Sequence, residues 1–329
     1  MTTPTGAPVY ADPVDLDEHG VYGATALSVR NGGWYRPRYP FQGRVTADGS
    51  SGYRAEPGRY HLYVAHLCPW AQRTAIVRAL KGLEDVVSLS YVDDKRDGRG
   101  WAFRERRGAD PVNGFRFLRE AYEATEPGFD GHVSVPVLWD RKTGRIVSNN
   151  FPDITIDLGT GFEEWGDPEV RLYPAELRAE IDELDDYIYA NVNDGTYRVA
   201  GAASNESYEE LRGRVVSALE RLDERLSGRR FLHGDSITES DVRLWVTLVR
   251  FDLTYNPFAK ISERRLTDFP NLWGYARDLY RRPAFRGTTD LDAFSHLGPP
   301  FLDEAVTRIE VEPHRADWEE PHDRASLGG

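Results

Sequence analysis

The residue with the clearest capacity for chemistry in this sequence is Cys68, the only cysteine among 329 residues. It follows an apolar run, Tyr60 to Leu67, that is typical of a buried strand, and it precedes Pro69, a residue favoured in the first turn of a helix. We therefore predict that the Cys68 thiol lies at a helix N-terminus. There the unpaired backbone N–H groups and the helix dipole favour a thiolate, the form that attacks sulfur. The pattern predicts a nucleophile in place of the buried, inert cysteine that is commoner in proteins.

A single cysteine limits the redox chemistry open to the chain. It excludes an intramolecular disulfide, a Cys-x-x-Cys pair and a cysteine-based zinc site, so any redox cycle needs a second thiol from another molecule. The acidic residues Asp153, Asp157 and the Glu163–Glu164 pair lack metal-ligand spacing with any histidine, and we expect no metal. His66, two residues before the cysteine, is interpreted as a packing residue and not as a base.

The charge and hydropathy of the chain exclude several kinds of partner. The net charge of −13 at pH 7 argues against a nucleic acid or an anionic membrane, because both select a basic surface. No apolar run approaches the length of a membrane span, and the N-terminal segment has neither the basic nor the apolar region of a secretion signal. We expect a cytoplasmic protein. Only four of the 41 basic residues are lysines, a bias that indicates a GC-rich genome.

The elements that must position Cys68 form an α/β pattern between residues 58 and 165. A strand, a helix and a second strand stand close together, which implies parallel pairing through a right-handed crossover. Pro136, near the head of a later strand, fits a cis peptide beside a ligand better than a central strand. The order of elements is that of a thioredoxin-like domain. The predicted elements are a strand ending at Leu67, a helix over 69–81, a strand over 86–92, a helix near 114–124, and hairpin strands at 134–140 and 145–148.

Three further regions flank this domain. Residues 1–57 are rich in Gly, Pro, Asp and aromatic residues without periodicity, and they are interpreted as an extended arm. Residues 166–295 carry long amphipathic patterns and are predicted to form an all-helical domain, in which Asn205 or Ser207 caps one helix and Thr238 with Asp241 caps another. Residues 296–329 are rich in proline and acidic residues, and we expect a tail that is poorly ordered or lies on the surface.

Several segments of the chain are similar to one enzyme family. They are SSGYRAEPGRYHLYVAHLCPWAQR, DPVNGFRFLREAY, VSVPVLWDRKTGRIVSN, LYPAELRAEIDELDDYIYANVNDGTYR and DFPNLWGYARDLY. On these motifs the chain resembles the glutathionyl-hydroquinone reductases, the Xi class of glutathione transferases. The resemblance implies an α/β, thioredoxin-like N-terminal domain followed by an all-helical glutathione-transferase domain. It also implies a homodimer, no tightly bound cofactor, and a cysteine that removes a low-molecular-weight thiol from a quinol thioether.

The resemblance assigns roles to individual residues by position. Cys68 matches the nucleophile, and Tyr197 matches a tyrosine near the quinol. The remaining matches form the expected thiol site: Trp70 beside the nucleophile, Trp101 at the γ-glutamyl end, Val135 and Pro136 against the cysteinyl backbone, and His132, Asn150 and Phe151 at positions where the family has other residues.

These departures from the family pattern bear on the identity of the thiol. Asn150 and Phe151 replace a Glu-Ser pair that holds the γ-glutamyl amine and carboxylate, and His132 replaces a common arginine. A second quinol-binding tyrosine is missing from the segment between His296 and Pro299. Charge-assisted hydrogen bonds contribute about 1.5–3 kcal/mol each, so we expect weak glutathione binding. Mycothiol, the neutral sugar–inositol thiol that actinobacteria commonly use, is the expected co-substrate in preference to glutathione.

Together these features predict a cysteine-dependent thiol transferase or reductase. The Cys68 thiolate is expected to attack the sulfur of an aromatic or quinone-type S-conjugate, expel the carbon fragment and keep the small thiol as a mixed disulfide. A second thiol then resolves it, and Tyr197 hydrogen-bonds the oxygen of the leaving group. Two alternatives stay open. One is a thiol–disulfide oxidoreductase that acts on mixed disulfides, and the other is a non-catalytic ligand-binding protein on a transferase scaffold.

Overall fold

The computed structural model describes residues 7–22, 29–30, 33–296 and 302–327. The chain divides into two units, Met1–Leu27 with Pro37–Pro168 and Ser28–Arg36 with Glu169–Gly329. The strands are β1 (Val29–Arg30), β2 (Gly33–Trp34), β3 (Val45–Thr46), β4 (Tyr53–Arg54), β5 (Tyr60–Val64), β6 (Ser88–Tyr91), β7 (Val137–Asp140) and β8 (Arg145–Ser148). The helices are α1 (Leu16–His19), α2 (Pro69–Leu80), α3 (Arg119–Thr125), α4 (Phe151–Thr160), α5 (Arg178–Ile188), α6 (Gly195–Ala200), α7 (Asn205–Arg225), α8 (Glu239–Arg250), α9 (Asn256–Ala259), α10 (Pro270–Tyr280) and α11 (Pro283–Arg286).

A four-stranded mixed sheet with the order β6-β5-β7-β8 forms the centre of the first unit. The apolar β5 pairs parallel with β6 and antiparallel with β7, which in turn pairs antiparallel with β8. All five residues of β5 are buried, because this strand lies between two others and carries an almost continuous apolar sequence. The parallel pair is joined by α2, as the compact strand–helix–strand pattern predicted. This sheet confirms the thioredoxin-like fold of the N-terminal half.

The arm that precedes the sheet in sequence lies alongside the polar loop between β6 and α3. The Ala11 N–H donates to the Phe103 carbonyl at 2.8 Å, and the Asp15 N–H donates to the Asp97 carboxylate at 3.1 Å. Apart from the single turn of α1, residues 7–22 form no regular secondary structure. These hydrogen bonds fix an irregular segment that has no sheet or long helix of its own.

Buried polar groups organise the second unit, which is helical as predicted. The predicted capping box of α8 is confirmed, since the Thr238 N–H donates to the Asp241 carboxylate at 2.7 Å. The same carboxylate accepts the Leu232 N–H at 3.0 Å and the Tyr275 hydroxyl at 2.9 Å, and burial raises its pKa. One carboxylate therefore joins the start of α8, the preceding loop and α10. No helix formed by the described residues is long and apolar enough to cross a membrane.

The N-cap of α7 differs from the two candidates. Ser204 is the cap: its backbone is extended and its hydroxyl accepts the Ser207 N–H at 3.1 Å. Ser207 is the reciprocal partner of this capping box, and the Asn205 side chain instead accepts the Thr307 N–H at 2.8 Å. The prediction was wrong by one residue because Ser, Asn and Ser in close succession all suit the position.

The C-terminal segment 302–327 packs onto the second unit. The buried Trp318 indole lies against Trp273 and Tyr280, with ring centroids 5.0 and 5.4 Å away. Arg324 is also buried and donates to the Arg230 carbonyl at 3.2 Å. Of the two expectations for this tail, poor order is wrong for the described segment, because one indole and one guanidinium anchor it.

Candidate active site

Cys68 is the N-cap residue of α2, as the sequence predicted. Its backbone is extended, with φ −83° and ψ 117°, and its carbonyl oxygen accepts the Gln72 N–H at 3.0 Å to begin the helix. The side chain makes no capping hydrogen bond, and the residue is partly exposed. The sulfur therefore lies at the positive end of a twelve-residue helix, where negative charge is stabilised.

A cis peptide bond joins Val135 to Pro136 beside the cysteine, which confirms the geometry predicted for Pro136. The Cys68 thiol donates to the Val135 carbonyl oxygen, with Sγ and O 3.5 Å apart. Tyr122 fixes Ser134, the residue before Val135, because its hydroxyl donates to the Ser134 carbonyl at 2.8 Å. A hydrogen bond from the thiol to a carbonyl favours the protonated form, so this contact opposes the effect of the helix dipole at the sulfur.

The N-terminus of α4 carries Asn150, one of the departures from the family pattern. Asn150 is the N-cap residue, and its side-chain amide donates to the Asp153 carboxylate at 2.7 Å. The other Asp153 oxygen lies 3.4 Å from an Arg44 nitrogen. A carboxylate therefore stands one turn into this helix although position 150 is neutral. The expectation of weak glutathione binding rested on His132, Asn150 and Phe151 and did not include this carboxylate.

Phe151 and Trp70 lie beneath the surface and pack α2 against α4. Phe151 is 2% exposed and Trp70 6%, and their ring centroids are 4.7 Å apart. The buried Arg73 guanidinium lies 4.7 Å from the Trp70 centroid and 5.0 Å from that of Phe151. This arrangement favours a packing role for both aromatic residues. The ligand contacts predicted for them stay predictions, and the burial of the Phe151 ring leaves little of it for a ligand to touch.

Trp101 lies in the polar loop after β6, with an arginine on its ring. The Arg96 guanidinium carbon is 4.0 Å from the Trp101 centroid and 4.3 Å from the Tyr22 centroid. Tyr22 comes from the arm and donates its hydroxyl to the Val133 carbonyl at 3.3 Å. The arm and the loop thus meet at one cation, and the carbonyl that Tyr22 binds belongs to Val133, two residues before the Val135 carbonyl that contacts Cys68.

Ion pairs fix the loop that carries Trp101 and Arg96. The buried Asp94 carboxylate accepts the Leu67 N–H at 2.9 Å, directly before the cysteine, and the Arg107 guanidinium at 2.7 Å. The buried Asp97 carboxylate accepts the Arg99 guanidinium at 2.7 Å, and this hydrogen bond holds the pKa of Asp97 well below its usual range. The loop that sequence analysis treated as a polar insertion is tied to the Cys68 strand through Asp94.

Two family models match the chain in the order of its two halves. The model described as "Glutathione S-transferase, N-terminal domain" matches residues 67–159, and "Glutathione S-transferase, C-terminal domain" matches residues 205–278. The glutathionyl-hydroquinone reductase YqjG of Escherichia coli is 41% identical over 270 residues, which is 79% of this chain and 82% of that protein. The chain belongs to the glutathionyl-hydroquinone reductase family. It is therefore a glutathione-transferase-like enzyme, and this excludes the non-catalytic alternative.

Solved structures agree with this membership of the Xi-class family. An Xi-class glutathione transferase from Natrialba magadii has a TM-score of 0.80 and 37% identity, covering 87% of this chain and 89% of that chain. A glutathione transferase from Gordonia bronchialis has a TM-score of 0.81 and 41% identity, covering 89% of this chain and 92% of its own. The glutathione-bound structure of YqjG has a TM-score of 0.79 and 38% identity, covering 87% and 96%.

The second unit of this glutathionyl-hydroquinone reductase homologue contains Tyr197, in α6. Its hydroxyl lies 3.2 Å from the Tyr255 hydroxyl, and the Arg36 guanidinium lies 5.6 Å from its ring centroid. Tyr197 is 9% exposed, so its ring is mostly buried. A π-helix, Tyr189–Asn193, ends just before α6, and a second, Phe251–Tyr255, ends at Tyr255. Insertions of this kind in helices are frequent at functional sites.

The structure therefore brings together only some of the residues predicted for the family's thiol site. Cys68, Val135 and Pro136 form one group, with the half-buried His132 on the loop that leads to the cis peptide. Sequence reasoning missed Arg96, Tyr22 and Tyr255. The two arm and loop residues lie in segments without periodicity, and Tyr255 follows an apolar helical pattern that is typical of core residues.

Proposed function

We propose that this enzyme removes a low-molecular-weight thiol from aromatic or quinone-type S-conjugates through a mixed disulfide on Cys68. The observation that carries the proposal is the position of Cys68 as N-cap of α2, partly exposed and beside the Val135 carbonyl. The family relation supports the same conclusion, since YqjG is a glutathionyl-hydroquinone reductase. A thiolate at a helix N-terminus is the reactive form that such chemistry requires.

The proposed reaction has two steps that balance. The Cys68 thiolate attacks the sulfur of the conjugate, a disulfide forms between Cys68 and the small thiol, and the carbon–sulfur bond breaks. The electron pair leaves with the aromatic fragment, which takes a proton and is thereby reduced. A second small thiol, as thiolate, then attacks the mixed disulfide, releases Cys68 and leaves as a disulfide with the first. Each turnover therefore consumes one free thiol, which leaves as a disulfide with the thiol of the conjugate.

The negative charge that develops on the oxygen of the leaving aromatic fragment must be stabilised. We assign this role to the Tyr197 hydroxyl, which can donate a hydrogen bond. The neighbouring Tyr255 hydroxyl, 3.2 Å away, supplies a second phenol in place of the tyrosine missing near the C-terminus. Of the segment from His296 to Pro299, where that tyrosine was expected, residues 297–299 lie outside the described residues. Tyr197→Phe is expected to lower kcat for quinol conjugates without affecting mixed-disulfide exchange.

The residues at the N-terminus of α4 bear on the identity of the small thiol. We propose that mycothiol is preferred to glutathione, because Asn150 offers a neutral amide where the family pattern has a carboxylate. The nearby Asp153 carboxylate is already engaged by Asn150 and Arg44, so it compensates only in part for a γ-glutamyl ammonium. A neutral, hydroxyl-rich thiol avoids the cost of leaving a charged group incompletely paired.

A comparison of two conjugates tests this preference. kcat/KM is measured with the same quinol carrying glutathione or mycothiol, for the unmodified enzyme, Asn150→Glu and the uncharged control Asn150→Gln. Asn150→Glu is expected to raise the glutathione-to-mycothiol ratio by roughly tenfold, the worth of one charge-assisted hydrogen bond, whereas Asn150→Gln leaves it unchanged. Equal or better use of glutathione by the unmodified enzyme would overturn the preference for mycothiol.

Cleavage assays with Cys68→Ser test the reaction itself. The variant is expected to lose thiol release from a quinol conjugate while it unfolds at the same temperature as the unmodified protein. If release persists, Cys68 is not the nucleophile. The alternative reading, a thiol–disulfide oxidoreductase, predicts that the unmodified enzyme reduces mixed disulfides but leaves quinol conjugates intact.

A further inference from the structure

Arg96 stands between two aromatic rings that come from different segments of the first unit. Its guanidinium carbon is 4.0 Å from the Trp101 centroid and 4.3 Å from the Tyr22 centroid. A planar guanidinium suits this position, because it can stack on both ring faces and gains from their quadrupoles. The two rings therefore fix a positive charge in a half-buried place.

Among the described residues no carboxylate forms an ion pair with this charge, although Asp94 raises the pKa of Arg96 without a direct contact. The arginines and aspartates of the loop pair with each other: Arg107 with Asp94 at 2.7 Å, and Arg99 with Asp97 at 2.7 Å. Within the part of the chain that the structure describes, none of the ion pairs includes Arg96. A half-buried cation without a carboxylate in ion-pair contact is unusual, since such groups are normally paired.

Tyr22 connects this cation to the segment that contacts the cysteine. Burial is the largest influence on the pKa of both groups: it raises the pKa of Tyr22 and lowers that of Arg96. A negative charge on Cys68 raises both pKa values. Hydrogen bonds agree with this proximity, because Tyr22 binds the Val133 carbonyl and Cys68 binds the Val135 carbonyl. The other charged groups that face this place are Asp94 and Arg119.

We infer that Arg96, held between the Tyr22 and Trp101 rings, is a positioning residue whose charge stabilises the Cys68 thiolate. The inference deepens the proposed function and rests on it for its role in turnover. The hydrogen bond from the thiol to the Val135 carbonyl favours the protonated form of Cys68. Without a nearby cation, the helix N-terminus would be the only one of these groups that favours the thiolate. A fixed cation adds to the helix dipole and shifts the balance toward the thiolate.

Alkylation of Cys68 tests the inference without needing any substrate. The pH midpoint is measured with neutral iodoacetamide, and the rate ratio of anionic iodoacetate to iodoacetamide is measured at fixed pH. Arg96→Met is expected to raise the midpoint by about half a unit or more, as the loss of a nearby opposite charge does, and to lower the rate ratio roughly threefold, since an anionic reagent loses local attraction. Arg96→Lys, which keeps the charge, is expected to retain most of both effects.

Arg116→Met is the matched control. Arg116 also joins the arm to the loop, donating to the Tyr10 carbonyl at 3.1 Å and to Asp12 at 2.7 Å. Among the described residues, the guanidinium on the Trp101 ring is that of Arg96 and not that of Arg116. Unchanged alkylation in Arg96→Met, or an equal change in Arg116→Met, would overturn the inference. If Arg96→Met does not fold, Arg96→Gln removes the charge and keeps a planar group between the rings. If the unmodified enzyme does not cleave quinol conjugates, the proposed function is wrong. The alkylation results do not depend on that activity and still test the effect of Arg96 on Cys68.

Discussion

The backbone N–H of Gly98 donates to the carbonyl oxygen of Gly20 at 2.9 Å. This contact joins the loop after β6 to the arm, two residues before Tyr22 and two residues after Arg96. The approach depends on the absence of a side chain, because a Cβ on Gly98 would lie 2.0 Å from the His19 carbonyl oxygen. The glycine therefore decides whether the arm can bring Tyr22 onto Arg96.

Gly98→Ala is accordingly expected to release the arm from the loop. The arm backbone must shift by more than an ångström to clear the methyl group, so its hydrogen bonds to the loop are lost. Hydrogen exchange is expected to speed up across residues 7–22 while β5 and α2 stay protected. Gly213→Ala in α7, where a Cβ meets nothing within 4 Å, serves as the control and leaves the arm protected. Arm protection that survives Gly98→Ala would show that the backbone accommodates the methyl group.

A second prediction concerns stability in acid. His61 lies fully buried between the Ser88 and Ser90 hydroxyls, each 2.7 Å away, and burial lowers its pKa to about 3. The unfolded chain binds a proton at this residue near pH 6.5, so the free energy of unfolding falls as the pH drops below that value. Between pH 7 and 5 this one residue is expected to cost about 2 kcal/mol.

Urea unfolding at both pH values checks the prediction. His61→Gln removes the titrating ring, so the difference in unfolding free energy between pH 7 and 5 is expected to shrink by about 2 kcal/mol. An identical pH dependence in the variant and the unmodified protein would mean that folding does not lower the pKa of His61.

The tail provides a third prediction through Arg308. Its guanidinium donates to the carbonyl oxygens of Val199 at 2.9 Å and of Ala200 and Ala202 at 3.2 Å, which closes the end of α6. Arg308→Ala is expected to lower the free energy of unfolding by about 2–3 kcal/mol, because charged hydrogen bonds to a helix end are lost. Urea denaturation measures it. Arg315→Ala, which breaks an exposed pair with Asp292, is expected to change it by less than about 0.5 kcal/mol.

A fourth prediction separates packing from ligand contact at Phe151. Phe151→Ser leaves a cavity beside Trp70 and Arg73, and it is expected to lower the free energy of unfolding by about 3–5 kcal/mol. Phe151→Leu keeps most of the volume and is expected to recover more than half of the loss. Calorimetry of both variants decides the matter, and a Phe151→Ser protein as stable as the unmodified one would return this ring to the list of ligand contacts.

The core of the fold and the nucleophile were predictable because each rests on a local signal. A strand–Cys–Pro order places Cys68 at a helix start, and a proline at the head of a strand suggested the cis bond at Pro136. Both signals depend on neighbouring residues alone. The capping box of Thr238 and Asp241 was predictable for the same reason.

The rest of the site depends on contacts between distant segments. Arg96 is one of several arginines in a loop without periodicity, and only the arm residue Tyr22, 74 positions earlier, distinguishes it. Tyr255 pairs with Tyr197 across 58 positions and has an apolar helical setting. Trp318 was overlooked because its surroundings are rich in proline and acidic residues. No single-sequence pattern reports contacts of this range.

In the proposed reaction, Cys68 takes the small thiol from the conjugate and releases the carbon fragment. Intact-mass spectrometry after one turnover with a quinol conjugate, with no second thiol present, measures it directly. We expect one added mass on Cys68, equal to the small thiol joined as a disulfide and removed by dithiothreitol, together with free reduced quinol. An adduct that retains the aromatic fragment, or quinol release with no adduct on Cys68, would contradict it.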